Sequence, residues 1–110
     1  MDEESVTKNN DGLASLESGD IETGIRQLQE ASQDAFTGES KLITLVNLGY
    51  AYSSEGQYDQ ALESFKEALT HTSEDSFDYY LVYGEIALIE GNPDLAKINY
   101  EKAYQLKPND

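Results

Sequence analysis

Leu45-Val46-Asn47-Leu48-Gly49-Tyr50-Ala51-Tyr52, continuing to Ala61, Phe65 and Ala68, is the stretch that decides the fold. Leu45, Leu48, Gly49 and Tyr52 stand at i, i+3, i+4 and i+7, the spacing that gathers side chains on one face of a helix. Gly49 lies inside this run, where it costs about 1 kcal/mol relative to Ala. That cost is explained if a neighbouring backbone approaches closely. Glu55-Gly56-Gln57 then interrupts the pattern, with Gly56 a natural left-handed cap. A second amphipathic run follows in Ala61, Leu62, Phe65, Ala68 and Leu69, small residues alternating with large ones as in two helices packed ridge into groove. The reading is a helical hairpin.

The same marks recur on both sides. Downstream, Tyr83-Gly84 match Leu48-Gly49, Gly91 matches Gly56, and Ala96, Tyr100 and Ala103 match Ala61, Phe65 and Ala68. Upstream the copy is fainter: Gly12 matches Gly49, Gly19 matches Gly56, and Gly24, Leu28 and Ala31 stand for Ala61, Phe65 and Ala68. Asp11 and Ser15 occupy places that the central copy fills with Leu48 and Tyr52. Terminal units of such arrays are commonly atypical, because one face meets water.

The pattern Leu48-Gly49-x-x-Tyr52, Gly56-x-Tyr58, Ala61, Phe65, Ala68 resembles the tetratricopeptide repeat, with Leu45 in place of its usual Trp and Ser73 in place of its closing Pro. The resemblance covers nearly the whole chain and is most specific in the second and third units. It implies an all-α fold: an α-α superhelix, or solenoid, of three antiparallel helix hairpins and six helices, with repeats at about residues 5–36, 40–73 and 75–108 of a single domain. In order, the helices are expected from about Ser5 to Glu17, from an Asp20 cap to about Gln33, from a Thr37 cap to Ser54, from Tyr58 to His71, from a Thr72-Ser73 cap to Glu90, and from Asn92-Pro93 to about Leu106. Phe36 is expected to fold back over the first junction. Tyr52, Tyr58, Tyr83 and Tyr100 take consensus positions in the core. Family members usually close with a further helix. Without one, part of the third hairpin, around Tyr83, Tyr104 and Leu106, is expected to be uncovered, and either a longer array continues or that face meets another chain.

In the family, the first helix of each hairpin lines a concave groove that takes an extended peptide or a helix. Laid onto this sequence, the groove residues are Asn10 and Leu13 in the first unit, Ile43, Asn47 and Tyr50 in the second, and Asp78, Val82, Glu85 and Ile89 in the third. Asn47 falls where one class of these proteins holds the C-terminal carboxylate of a chaperone tail. The lysines and arginine completing that clamp are missing, since Asn9, Leu13, Ile43, Asp78 and Val82 occupy the clamp places. Chaperone-tail binding is therefore rejected, and an acidic groove would repel an acidic tail.

Composition agrees with a protein-binding role. The 110 residues carry a net charge of −15, from 22 acidic and 7 basic side chains. That field opposes nucleic acid and anionic membrane surfaces. The partner expected is a protein or peptide, neutral to basic, with apolar anchors. The chain has no cysteine, so disulfides and thiol chemistry are excluded. No apolar run approaches a membrane span, and Met1-Asp2-Glu3-Glu4 lacks the order of a signal peptide, so the cytoplasm is expected.

Catalytic readings are weak. His71 is the single histidine, with Glu67, Glu74 and Asp75 nearby. A metal site needs more convergent ligands, and a helix-end position suits a histidine on dipole grounds alone. No serine has a recognisable base, and the glycines follow the repeat rather than a phosphate loop. No catalytic residue, metal or cofactor is assigned. The expected function is a non-catalytic interaction module. The alternative is a structural or oligomerising segment of a longer array with no ligand of its own.

Overall fold

A computed structural model describes residues 3–35 and 37–106. Six helices follow in order: α1 (Glu3–Glu17), α2 (Ile21–Asp34), α3 (Gly38–Ser54), α4 (Tyr58–Leu69), α5 (Phe77–Ile89) and α6 (Pro93–Leu106). They pair as α1/α2, α3/α4 and α5/α6, and the hairpins stack through α2 against α3 and α4 against α5. The described residues form no strand. None of the helices is long and apolar enough to cross a membrane. The readings of Phe36 and of the closing Pro108 lie outside the described residues.

The hairpin turns are set by sequence. Gly19, Gly56 and Gly91 hold φ of +90, +74 and +81°, the left-handed conformation that ends a helix and that side chains resist. Thr37 caps α3 by accepting from the Ser40 amide at 3.0 Å, and Asn92 caps α6 by accepting from the Leu95 amide at 3.2 Å.

The junction between the second and third hairpins differs from the expected one. α4 ends at Leu69 rather than His71, and α5 starts four residues after the expected Thr72-Ser73 cap. Ser76 is the cap: its backbone is extended (φ −90°, ψ 167°) and its hydroxyl accepts from the Tyr79 amide at 3.1 Å. The chain reaches it through Asp75, which sits at φ +62°. Thr72 is instead a partner of the cap, its hydroxyl 3.0 Å from that of Ser76. Ser76→Ala is accordingly expected to cost about 1 kcal/mol in urea unfolding. Ser73→Ala should change stability by less than about 0.5 kcal/mol.

In each hairpin a glycine inside one helix makes room for a large side chain of the other. A Cβ built on Gly49 would meet the Phe65 ring at 2.4 Å, one on Gly84 the Tyr100 ring at 2.7 Å, and one on Gly12 the Leu28 side chain at 2.8 Å. The neighbour excluding a side chain at Gly49 is thus a ring and not a backbone. The close backbone approach occurs in the first hairpin, where a Cβ on Gly12 would lie 3.1 Å from the Gly24 carbonyl and one on Gly24 3.0 Å from the Gly12 carbonyl.

Two apolar clusters run between the hairpins. Leu28 of α2 packs with Leu42, Leu45 and Leu48 of α3, and Ala61 and Phe65 of α4 pack with Val82 and Ile86 of α5. Val46 and Tyr52 touch both clusters. Tyr52 and Tyr100 are partly buried, as the repeat requires. Tyr58 and Tyr83 are 53% and 39% exposed, so neither fills the core place expected of it. The third hairpin carries most of the exposed large apolar side chains: Tyr83, Leu88, Leu95, Ile98, Tyr104 and Leu106.

Candidate functional site

The surface formed by α3 and α5 holds most of the residues assigned to the groove. Ile43, Asn47 and Asp78 line one hollow of about 210 Å³, together with Glu39, Leu42 and Val46. Glu85 and Ile89 line a second, about 480 Å³, with Ser53, Tyr58 and Leu88. Tyr50 links the two helices: its hydroxyl donates to Glu85 Oε1 across a long 3.4 Å, and its ring meets Phe65 edge-on at 5.5 Å between centroids. The Glu85 carboxylate also acts on the Tyr100 hydroxyl of α6. Burial first, then the Glu85 carboxylate, pushes the Tyr50 hydroxyl up to about 12, and the same causes raise Tyr100. Both phenols are therefore neutral near neutral pH, and the Tyr50 hydroxyl donates to one Glu85 oxygen.

Three assigned residues are placed differently from the rest. Val82 is 1% exposed and belongs to the core under α5, so it is not a groove residue. α5 is apolar on nearly every face (Phe77, Tyr79, Leu81, Val82, Ile86, Leu88, Ile89), so spacing alone does not select the inward one. Asn10 is exposed and Leu13 half-buried on α1, and neither lines the hollows between α3 and α5.

Asn47 is not a free amide. Its Nδ2 donates to Oδ1 of Asn9, 2.9 Å away on α1 and itself buried at 6% exposure. This bond bridges the first and second hairpins and fixes the Asn47 amide plane. Its carbonyl oxygen makes no hydrogen bond among the described residues and remains an acceptor. Val46 completes the hollow with Glu39 and Leu42, and the last two were not among the residues assigned from the repeat. Glu39 lies in the first turn of α3, as Asp78 does in α5, and that shared helix-start position was the available signal.

Electrostatically the surface is one-sided. Among the described residues, ion pairs are confined to Lys8, which contacts Asp34 and lies 3.5 Å from Glu4. Glu39 and Asp78 therefore have no cationic partner there. No group of three or more histidine, cysteine or carboxylate side chains is arranged to hold a metal among the described residues.

The hairpins, their glycine contacts and their stacking define a helical-repeat protein. Tetratricopeptide repeat models match residues 43–72 and 77–110, together more than half of the sequence, and the chain belongs to the tetratricopeptide repeat family. The first hairpin lies outside the matched residues, yet it pairs and stacks as the other two do. Comparison with curated proteins gives no match. Repeats of this family serve in general as protein–protein interaction modules and are typically non-catalytic.

Proposed function

We propose that this chain binds a peptide or helix of another protein along the surface formed by α3 and α5, and that the partner is neutral to basic with apolar anchors. The observation that carries this reading is the convergence of Ile43, Asn47 and Asp78, from two different hairpins, on one hollow. Aliphatic side chains give the hollow an apolar floor, while the fixed Asn47 amide offers an acceptor to a partner's backbone. The net charge of −15 would raise the on-rate of a basic partner by about 10-fold or more at low salt. The reading includes a cytoplasmic setting and no catalytic step.

The test is capture of partners from the source lysate by the native chain, by an Ile43→Lys variant, and by a Glu63→Lys variant altered on α4. Ile43 is 37% exposed, so its substitution leaves the core intact. A protein retained by the native chain and by Glu63→Lys, but weakened at least about 10-fold by Ile43→Lys, is the expected result. Equal capture by all three would remove the groove. It would favour a second reading, in which the exposed Leu95, Ile98, Tyr104 and Leu106 of the last hairpin make this a structural or self-associating segment.

A further inference from the structure

We infer that the hollow between the N-terminal halves of α3 and α5 is a pocket for one lysine or arginine side chain of an extended partner segment. The inference rests on the groove reading above and adds to it what the groove reads. The floor and walls are Leu42, Ile43 and Val46, and the rim carries Glu39 from α3 and Asp78 from α5. Long basic side chains bury an aliphatic stem along apolar surface and keep the charged head at a polar edge, and this hollow supplies both in that order. Its volume of about 210 Å³ accommodates a single side chain rather than a folded element.

Both carboxylates lie in the first turn of a helix, where the macrodipole favours an acid. Helix position explains the residue type. It does not explain why two such acids from separate hairpins meet at one aliphatic hollow, with no cation among the described residues to neutralise them. The other groove carboxylate is placed differently: Glu85 accepts from the Tyr50 hydroxyl and lines the second hollow, not this one. The unpaired charge at this hollow sits at Glu39 and Asp78. A bare metal ion fits poorly, because hard cations take six or more oxygens and the rim offers two carboxylates and one amide. Asn47, held through its Nδ2 by Asn9, presents its carbonyl oxygen in a fixed orientation for a donor on the guest.

The test is selection from a random, unstructured heptapeptide library on the native chain, followed by affinity measurement on the selected peptides. Selected peptides are expected to share one Lys or Arg beside apolar residues, and to lose binding to the Ile43→Lys variant. Replacing that Lys by norleucine, which keeps the stem and removes the charge, is expected to weaken binding about 10-fold on the native chain. On a Glu39→Gln/Asp78→Asn variant with unchanged helical circular dichroism, the same replacement should matter less than about twofold, because the paired charge is gone. Groove-dependent peptides without a basic position would overturn the pocket and leave the groove. A norleucine penalty of equal size on the double variant would also overturn it, placing the cation elsewhere on this acidic surface. Failure to select any peptide sensitive to Ile43→Lys would remove the pocket and the groove together.

Discussion

Phe65→Ala is expected to destabilise the chain by about 3–5 kcal/mol, the cost of emptying a fully buried aromatic site. Phe65 is 0% exposed and joins the second hairpin to the third through Val82 and Ile86. Its ring also occupies the place of the missing side chain at Gly49 and meets Tyr50 edge-on at 5.5 Å. One substitution therefore removes the lock of the central hairpin, part of its interface with the third, and an aromatic pair. Domains of this size are stable by about 5–15 kcal/mol, so the loss is a large fraction of the total. Urea unfolding followed by circular dichroism measures it. A loss below about 1 kcal/mol would mean that the site collapses without a cavity and that Phe65 does not hold the stack.

Gly49→Ala is expected to cost about 1–3 kcal/mol, even though Ala is the better helix former by about 1 kcal/mol. The added Cβ would meet the Phe65 ring at 2.4 Å, and the ring, buried on all sides, has nowhere to move. The sign should reverse in the Phe65→Ala background. With the ring absent, the new methyl fills part of the cavity and the propensity gain remains, so Gly49→Ala becomes neutral or stabilising. Such a reversal is a coupling that independent sites do not show. Equal effects in both backgrounds would disprove the contact as the reason for glycine here. Gly84→Ala should cost less, because its neighbour Tyr100 is only half-buried and its ring is free to shift outward.

Much of this architecture is legible in the sequence because it is local. Gly56 and Gly91 end helices by backbone conformation alone, and Asn92-Pro93 starts one, whatever packs around them. Gly49, Ala61, Phe65 and Ala68 fall on the meeting faces of α3 and α4 because helical spacing puts them there. The misread junction failed for the opposite reason. Thr70, Thr72, Ser73 and Ser76 are all chemically able to cap, and the choice of Ser76 depends on the turn at Asp75, which spacing does not encode. Val82 failed because an apolar helix has no marked face. At the candidate site, Ile43, Asn47 and Asp78 came from repeat geometry, and the structure brings them together. The Asn9–Asn47 bond, between residues 38 apart, and the place of Glu39 beside Asp78 depend on how hairpins stack, and a single sequence does not carry that.

The two inter-hairpin clusters both include residues of the central hairpin, and Val46 and Tyr52 touch both. Energetically the chain is a short linear array in which each unit depends on its nearest neighbour. Among the three hairpins described, the middle one packs against two neighbours and each of the others against one. Within these three units the amides of α3 and α4 are accordingly expected to exchange slowest with solvent. The candidate binding surface spans the boundary between the persistent middle unit and the outer third one. A guest bridging α3 and α5 acts as a splint across that boundary, tying the third unit to the middle one.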